Sequence, residues 1–324
     1  MKLCPHQLVF VIMLLFIEVS FGQGYHPLDE VIHVSNNHET MPVKVHGNMN
    51  AKTLLLVVHG GPGSSVDDYR SFNGKTGLQL IEEKTLVAYW QQRGAGDAKG
   101  VDDKKYYTID QYVSDLDHVV DEMHEVFPHK KIVLLGHSWG GMLSSSYLSS
   151  PEHRAKISAW IDAAGVTDGT KLLEYAFDDV DAVVKEHLIQ EENLDFWKDV
   201  AKQKTPQNSS LLAYYILDKM PDAHRYVNIE KMHWSERAIA SNNSLIPEVL
   251  LTNNNQNMEE LDFPILLIWG KYDYCVSKKL REDLIEHLDA EQITSVELPH
   301  SGHYMMMNEP ELFSKKVGEF LDKI

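Results

Sequence analysis

The chain has 324 residues, enough for one large domain or two modest ones with a substantial core. Apolar residues make up 43% and charged residues 24%, the usual balance of a soluble globular enzyme. A net charge of −18 leaves no basic face for nucleic acid, which it excludes as a partner, and gives an acidic, well-solvated surface.

Residues 1–22 read as a signal peptide. Lys2 supplies a positive start, LVFVIMLLFI (8–17) is an apolar run too short for a comfortable membrane span, and Ser20 and Gly22 place small residues before a cut at Gln23. The expectation is a secreted or periplasmic protein with no stable membrane association after cleavage; the alternative is a short membrane anchor. Of the two cysteines, Cys4 falls in the removed segment, so Cys275 alone remains and no intramolecular disulfide can form. Asn208-Ser-Ser and Asn242-Asn-Ser match the glycosylation acceptor pattern, which matters only in a eukaryotic host.

VIHVSNN (31–37) and TMPVKVHG (40–47) read as a hairpin with Asn-Asn near its turn. Apolar strand runs follow at 53–61, 85–96, 131–138, 157–165 and 264–273, with a short one at 295–299. Between them, Ile109, Val113, Leu116, Val119, Val120 and Met123 repeat at helical spacing. A helix is read over 140–149, and Pro310-Glu311 opens the last one. Apolar strands alternating with helices imply an α/β fold, a mostly parallel sheet covered by helices on both faces. Residues 166–255 break this rhythm with charged, aromatic, helix-like sequence. They read as a helical cap inserted into a core of 23–165 and 256–324, roofing the carboxyl ends of the strands where ligands bind in such sheets.

IVLLGHSWGGM (132–142) carries the chemistry. Gly136-His137-Ser138-Trp139-Gly140 is a G-x-S-x-G sequence with a strand before it and a small-residue helix after it, the context in which a tight turn presents a serine as nucleophile. A hydroxyl needs a base, and the base an orienting carboxylate, in the chain order Ser, acid, His. Asp273 ends the 264–273 strand and His303 follows the last strand. Asp162 and His300 are their rivals. Oxyanion donors are expected from the backbone N–H of Trp139 and of Gly61, the latter in His59-Gly60-Gly61-Pro62-Gly63; His59 reads as a loop-fixing residue. No H-E-x-x-H, other metal-ligand cluster or G-x-G-x-x-G occurs, so no cofactor or metal is expected.

HGGPGSS (59–65), YWQQRGAGDA (89–98), GHSWGG (136–141), GKYD (270–273) and SGH (301–303) together resemble the landmarks of the α/β-hydrolase fold. More narrowly they resemble the prolyl aminopeptidase (proline iminopeptidase) group of serine peptidases, over about residues 30–165 and 260–324. The resemblance implies release of an N-terminal residue, often proline, from short peptides, with Ser138 as nucleophile, His303 as base, Asp273 as its orienter, and Gly61 and Trp139 at the oxyanion. Two departures stand out. Gln91-Gln92-Arg93-Gly94 replaces the group's Asp-Gln-Arg-Gly, removing a charge beside the site, and Ser277 stands where a proline is common. The resemblance also implies acidic cap residues that hold the substrate's ammonium. Glu174, Asp178, Asp179, Glu191, Glu192 and Glu236 are available, although each taken singly reads better as part of a solvated helix face. Trp234-Ser-Glu236 faintly echoes a segment of the group's cap, and with Gln91 completes the candidate substrate contacts.

Substrate is thus expected to be a short peptide, or, in the alternative reading, a small ester, lactone or amide handled by a carboxylesterase, lactonase or amidase of the same fold. A dehalogenase or typical epoxide hydrolase would carry Asp in place of Ser138. A non-catalytic binding protein on this fold would lack a member of the Ser, Asp, His set, and all are present.

Overall fold

The computed structural model describes residues 26–72, 74–187, 202–217, 220, 222–223 and 234–324. The proposed signal segment 1–22 and the acids Glu191 and Glu192 lie outside the described residues. β1 (Pro27–Asn36) and β2 (Glu39–Asn48) pair antiparallel about a two-residue turn, Asn37-His38, whose residues have φ of 40° and 64°. Both positive angles belong to the hairpin turn that matches strand twist, so this short loop needs residues tolerant of the left-handed region.

β2 hands the chain to β4 (Leu86–Trp90) antiparallel; from there the sheet is parallel through β3 (Thr53–Val58), β6 (Lys131–His137), β7 (Ala159–Ala163), β8 (Ile265–Gly270) and β9 (Ile293–Leu298). A two-residue β5 (Lys99–Gly100) pairs with β2. The strand order is β1-β2-β4-β3-β6-β7-β8-β9. Every residue of β3, β4, β7 and β8 is buried, and side chains alternate across a strand, so both faces of the middle of the sheet are covered.

The covering helices form two groups. α3 (Ile109–Val126) packs against α4 (Trp139–Leu148) and β6, and α2 (Gly77–Ile81) packs against the last helix, Pro310–Leu321. Thr108 caps α3 by accepting the Gln111 N–H, and the stripe Ile109, Leu116, Val119, Val120, Met123 is buried, as its spacing predicts. Short α1 (Val66–Arg70) and α5 (Pro151–Arg154) join neighbouring elements.

Between β7 and β8 lie α6 (Leu172–His187), α7 (Pro206–Leu217) and α8 (Glu236–Val249). The segment leaves and re-enters the core through one latch. Gly169 N–H donates to the Thr252 carbonyl (2.8 Å), Asn254 N–H to that of Thr167 (2.9 Å), and the Asn253 amide to Asp168 Oδ2 (2.8 Å). A Cβ on Gly169 would sit 1.8 Å from the Val249 carbonyl, so the latch closes only around a glycine. After β8, α9 (Lys278–Ile285), α10 (Met305–Asn308) and α11 (Pro310–Leu321) complete the chain.

Candidate active site

Ser138 sits between β6 and α4 with φ 57° and ψ −120°. A side chain in this region of backbone space costs on the order of 1–3 kcal/mol, which the surroundings must impose. They do so by crowding. A Cβ on Gly140 would lie 1.9 Å from the Val58 carbonyl, and one on Gly136 2.5 Å from that of Gly140. The glycines on either side of the serine let α4 start hard against β3. From Ile132 to Ser145 every residue is buried except Ser138, which keeps partial exposure.

Asp273 follows β8 and is itself buried. Its Oδ1 accepts the backbone N–H groups of Cys275 and Val276, both at 2.9 Å, which fixes the carboxylate; its Oδ2 is 2.8 Å from His303 Nδ1. A carboxylate can only accept, so Nδ1 carries a hydrogen, and in the neutral imidazole Nε2 is then the lone-pair nitrogen. The loop bearing His303 is held from behind. Glu309 accepts the His300 N–H (2.8 Å) and the Ser301 hydroxyl (2.7 Å), and Asn308 accepts the Gly302 N–H (3.1 Å).

The two rivals fall elsewhere. His300 Nδ1 bonds to the Asp222 carbonyl, 2.9 Å away. Asp162 is fully buried in β7, and neither of its oxygens has a partner in hydrogen-bond geometry. Burial pushes its carboxyl up to about 8, the Gly165 N–H offsetting this only in part.

His59 is fully buried at the end of β3. Burial holds its imidazole down to about 4, so it is neutral at pH 7. Nδ1 faces the Gly60 carbonyl at 2.9 Å and must donate; Nε2 then accepts the Gln92 N–H at 3.3 Å. This is a residue that fastens a loop. Gly61, two residues along, has φ 119°, and a Cβ there would lie 2.6 Å from the Gly63 nitrogen. Trp139 is the first residue of α4, and its indole N–H donates to Gln92 Oε1 (2.9 Å).

The Gln91-Gln92-Arg93-Gly94 stretch is a set of braces. Gln91 is fully buried, its Oε1 accepting the Val66 N–H (3.2 Å) and its amide reaching the Ser64 carbonyl (3.4 Å). Its polar atoms hold the end of the glycine loop, so the candidate role of Gln91 in touching substrate gives way to a structural one. Gln92 ties His59 to Trp139. Arg93 is buried against Asp115 (2.7 and 2.8 Å) and the carbonyls of Asn36 and Asn37.

The cap candidates among the described residues have other partners or face solvent. Ser235 caps α8 by accepting the Ala238 N–H, and Glu236 is an exposed first-turn acid, well placed for the helix dipole. Trp234 is 37% exposed. Glu174 lies 3.5 Å from Lys171, an exposed local pair, whereas Asp179 and Asp178 lie 3.0 and 4.0 Å from Lys279 and join α6 to α9. Residues that sequence reasoning passed over do reach the site. Arg237 joins Glu39 Oε2 (2.7 Å) and the Ala98 carbonyl (2.9 Å), and the Asn242 amide donates to the Pro62 carbonyl (2.9 Å), holding α8 on the glycine loop. Arg237 adjoins the Glu236 that drew attention, and Asn242 stood out only as a sequon; nothing in the linear pattern marks either as facing inward.

A sheet of this order, with a serine at a strand–helix turn and a bonded Asp–His pair on later strand ends, defines an α/β-hydrolase. The sequence model described as serine aminopeptidase, S33, matches residues 49–311. The chain belongs to that family. It is 23% identical to a proline iminopeptidase of Saccharolobus solfataricus over 286 residues, covering 83% of this chain and 85% of the relative. Among solved structures it resembles the proline iminopeptidase of Mycobacterium smegmatis (TM-score 0.60, 17% identity, 91% of this chain and 98% of the other). It also resembles an esterase from Exiguobacterium antarcticum (TM-score 0.62, 16% identity, 91% and 100%). At such identities the structures establish the fold alone. The chain is thus a hydrolase.

Proposed function

We propose that the protein is a serine aminopeptidase that releases an N-terminal residue, proline or another small apolar one, from short peptides through an acyl-enzyme on Ser138. The observation that carries the reading is the 2.8 Å Asp273–His303 contact, because it leaves His303 Nε2 free to take a proton. Ser138 Oγ attacks the scissile carbonyl as His303 accepts its proton. The N–H groups of Trp139 and Gly61 stabilise the oxyanion, the first aided by its place at the start of α4. His303 returns the proton to the leaving amine. It then activates the water that hydrolyses the ester. Residues 1–22 act as a signal peptide, so the mature enzyme works outside the cytoplasm on peptides small enough to pass the cap formed by 166–255.

A second reading, a small ester, lactone or amide as substrate, is favoured by one observation. Position 91 is an uncharged glutamine whose amide is spent on Ser64 and Val66, so it lends no negative charge to an ammonium.

The test is a paired assay of the mature protein on proline p-nitroanilide and its N-acetylated form, with Ser138→Ala as control. Cleavage of the free amine alone, lost in Ser138→Ala by about 10⁴-fold or more, is expected. Equal cleavage of both forms would favour the second reading, and activity surviving in Ser138→Ala would remove the nucleophile assignment.

A further inference from the structure

One buried chain of hydrogen bonds in the site has no part in the steps above. The Gly60 N–H donates to Tyr69 Oη (2.7 Å), Tyr69 Oη lies 2.7 Å from His137 Nδ1, and His137 Nε2 lies 2.8 Å from the carbonyl oxygen of His303. Tyr69 and His137 are both fully buried. The His137 ring packs on that of His303 with centroids 4.6 Å apart, and Tyr304 lies against both, at 5.2 Å and 5.4 Å. Gly60 closes the other end. A Cβ there would come within 3.0 Å of Ser138 Cβ and 3.1 Å of His137 Nδ1.

Each proton in this chain has a forced position. The His303 carbonyl can only accept, so His137 Nε2 carries a hydrogen. Burial, with the neighbouring His303 and His59 adding to it, holds His137 well below the usual imidazole range, so the ring is neutral and Nδ1 is bare. Nδ1 therefore accepts the Tyr69 hydroxyl proton, and a Tyr69 lone pair takes the Gly60 N–H. No link can be reversed without setting two acceptors face to face. The result is a directional strut, which a merely packed aromatic would not provide. Its three attachment points are the loop that carries Gly61, the residue just before Ser138, and the backbone of His303.

We propose that Tyr69 and His137 are positioning residues, a strut that sets the spacing of the oxyanion loop and the base about Ser138. The proposal rests on the Ser138–His303–Asp273 reading. Its effect falls on the chemical step, because neither residue needs to touch substrate. Tyr69→Phe removes one oxygen and breaks the strut at its middle. His137→Leu removes both ring contacts. His137→Gln restores one acceptor and one donor about as far apart as the two ring nitrogens, so it can bridge Tyr69 and the His303 carbonyl.

The experiment is inactivation of the full chain by a fluorophosphonate probe, which reports on the nucleophile whatever the natural substrate. The maximal inactivation rate is separated from the half-saturating concentration, and urea midpoints are measured alongside. Labelling of wild type at Ser138 is the first requirement. Its absence would overturn the nucleophile reading and the strut with it. Given labelling, Tyr69→Phe and His137→Leu are expected to lower the maximal rate roughly 10- to 100-fold at an unchanged half-saturating concentration, the penalty of misplacing reacting groups by about 1 Å. His137→Gln is expected to recover most of the rate. Wild-type rates in Tyr69→Phe would overturn the strut alone. So would a Gln variant as slow as the Leu variant with both losses tracking their urea midpoints.

Discussion

The segment between β7 and β8 meets the catalytic corner in two different ways. On the oxyanion side, α8 is fastened by directed polar contacts: Arg237 to Glu39 and Ala98, Asn242 to Pro62, and Glu248 Oε2 accepting the Ile109 N–H (3.0 Å). On the acid–base side, Phe177, Val180, Leu212 and Ile216 of α6 and α7, with Met220 and Ala223 beyond α7, form a small apolar cluster against which Tyr272 and Tyr274, the neighbours of Asp273, pack. The polar contacts there are half-exposed or exposed ones: Tyr175 to Asp283 (2.8 Å), Asp179 to Lys279 (3.0 Å) and the Asp222 carbonyl to His300 (2.9 Å). Leu217 at the end of α7 crowds Gly302, where a Cβ would lie 2.9 Å from its Cδ2. Polar clamps fix position and register, whereas an apolar face can slide or lift with little loss of direction. The oxyanion loop is therefore held mainly by directed polar braces, and the acid and base loops meet their lid, α6 and α7, mainly through an apolar cluster.

The largest way to sharpen this contrast is Asp273→Asn. The two backbone N–H groups on Oδ1 keep the loop, and the tyrosines still pack beneath α6 and α7, so stability should hold. The amide cannot keep His303 Nδ1 protonated. A fall in kcat of roughly 10⁴-fold, read on whichever substrate proves active, is expected. Collapse of the urea midpoint instead would mean the carboxylate anchors the lid.

A pair of variants separates the two attachments directly. Phe177→Ala, fully buried in the small cluster, should cost about 3–4 kcal/mol, and if the lid opens on its own the loss is local. Protease nicking near α6 and α7 should rise while the global urea midpoint hardly moves. Arg237→Met should cost about 2 kcal/mol because it leaves the Glu39 carboxylate buried in the core with Arg93 4.0 Å away. Here the global midpoint should fall without new nicking at α6 and α7. Identical signatures from the two variants would dissolve the distinction.

The same divide separates what was legible in the sequence from what was not. The strands, α3, α4 and α11 were readable because burial on both faces or along one stripe leaves a period in the sequence, and because the Ser138 turn demands glycines at fixed offsets. Asp273 and His303 were readable because strand ends order them along the chain. Short α1, α2 and α9, five to eight residues each, carry too few turns for a period to show. The inward residues of the insertion were opaque for another reason. Arg237 and Asn242 are ordinary helix-surface types, and only the tertiary position of α8 turns them toward Glu39 and Pro62. Glu236, one residue from Arg237, is exposed; a helix rotates about 100° per residue, so neighbours in sequence lie on different faces. Gln91 stands in the sequence only as a departure from the group's motif, and the tertiary position of the glycine loop is what brings its amide onto Ser64.

The smallest expected effect comes from pH and falls on the braced side. His59 is held neutral in the fold, down to about 4, against an ordinary value of 6.5. A group with a lowered folded value contributes stability that is complete above its unfolded value and is lost as pH falls toward the folded one. The window is therefore about pH 6.5 down to 4, with a loss of about 1 kcal/mol by pH 5.5 from His59, and His137 adds in the same direction. Asp162 works oppositely. Its raised carboxyl favours the fold below the unfolded value of 3.8, a contribution that fades as pH rises through about 8. Urea midpoints at pH 7.5 and 5.5 should thus fall less in His59→Gln than in wild type, since the amide can still serve Gly60 and Gln92 without taking up a proton. A slope unchanged by the substitution would mean that the acid sensitivity belongs elsewhere and that the oxyanion loop is not braced by a neutral imidazole.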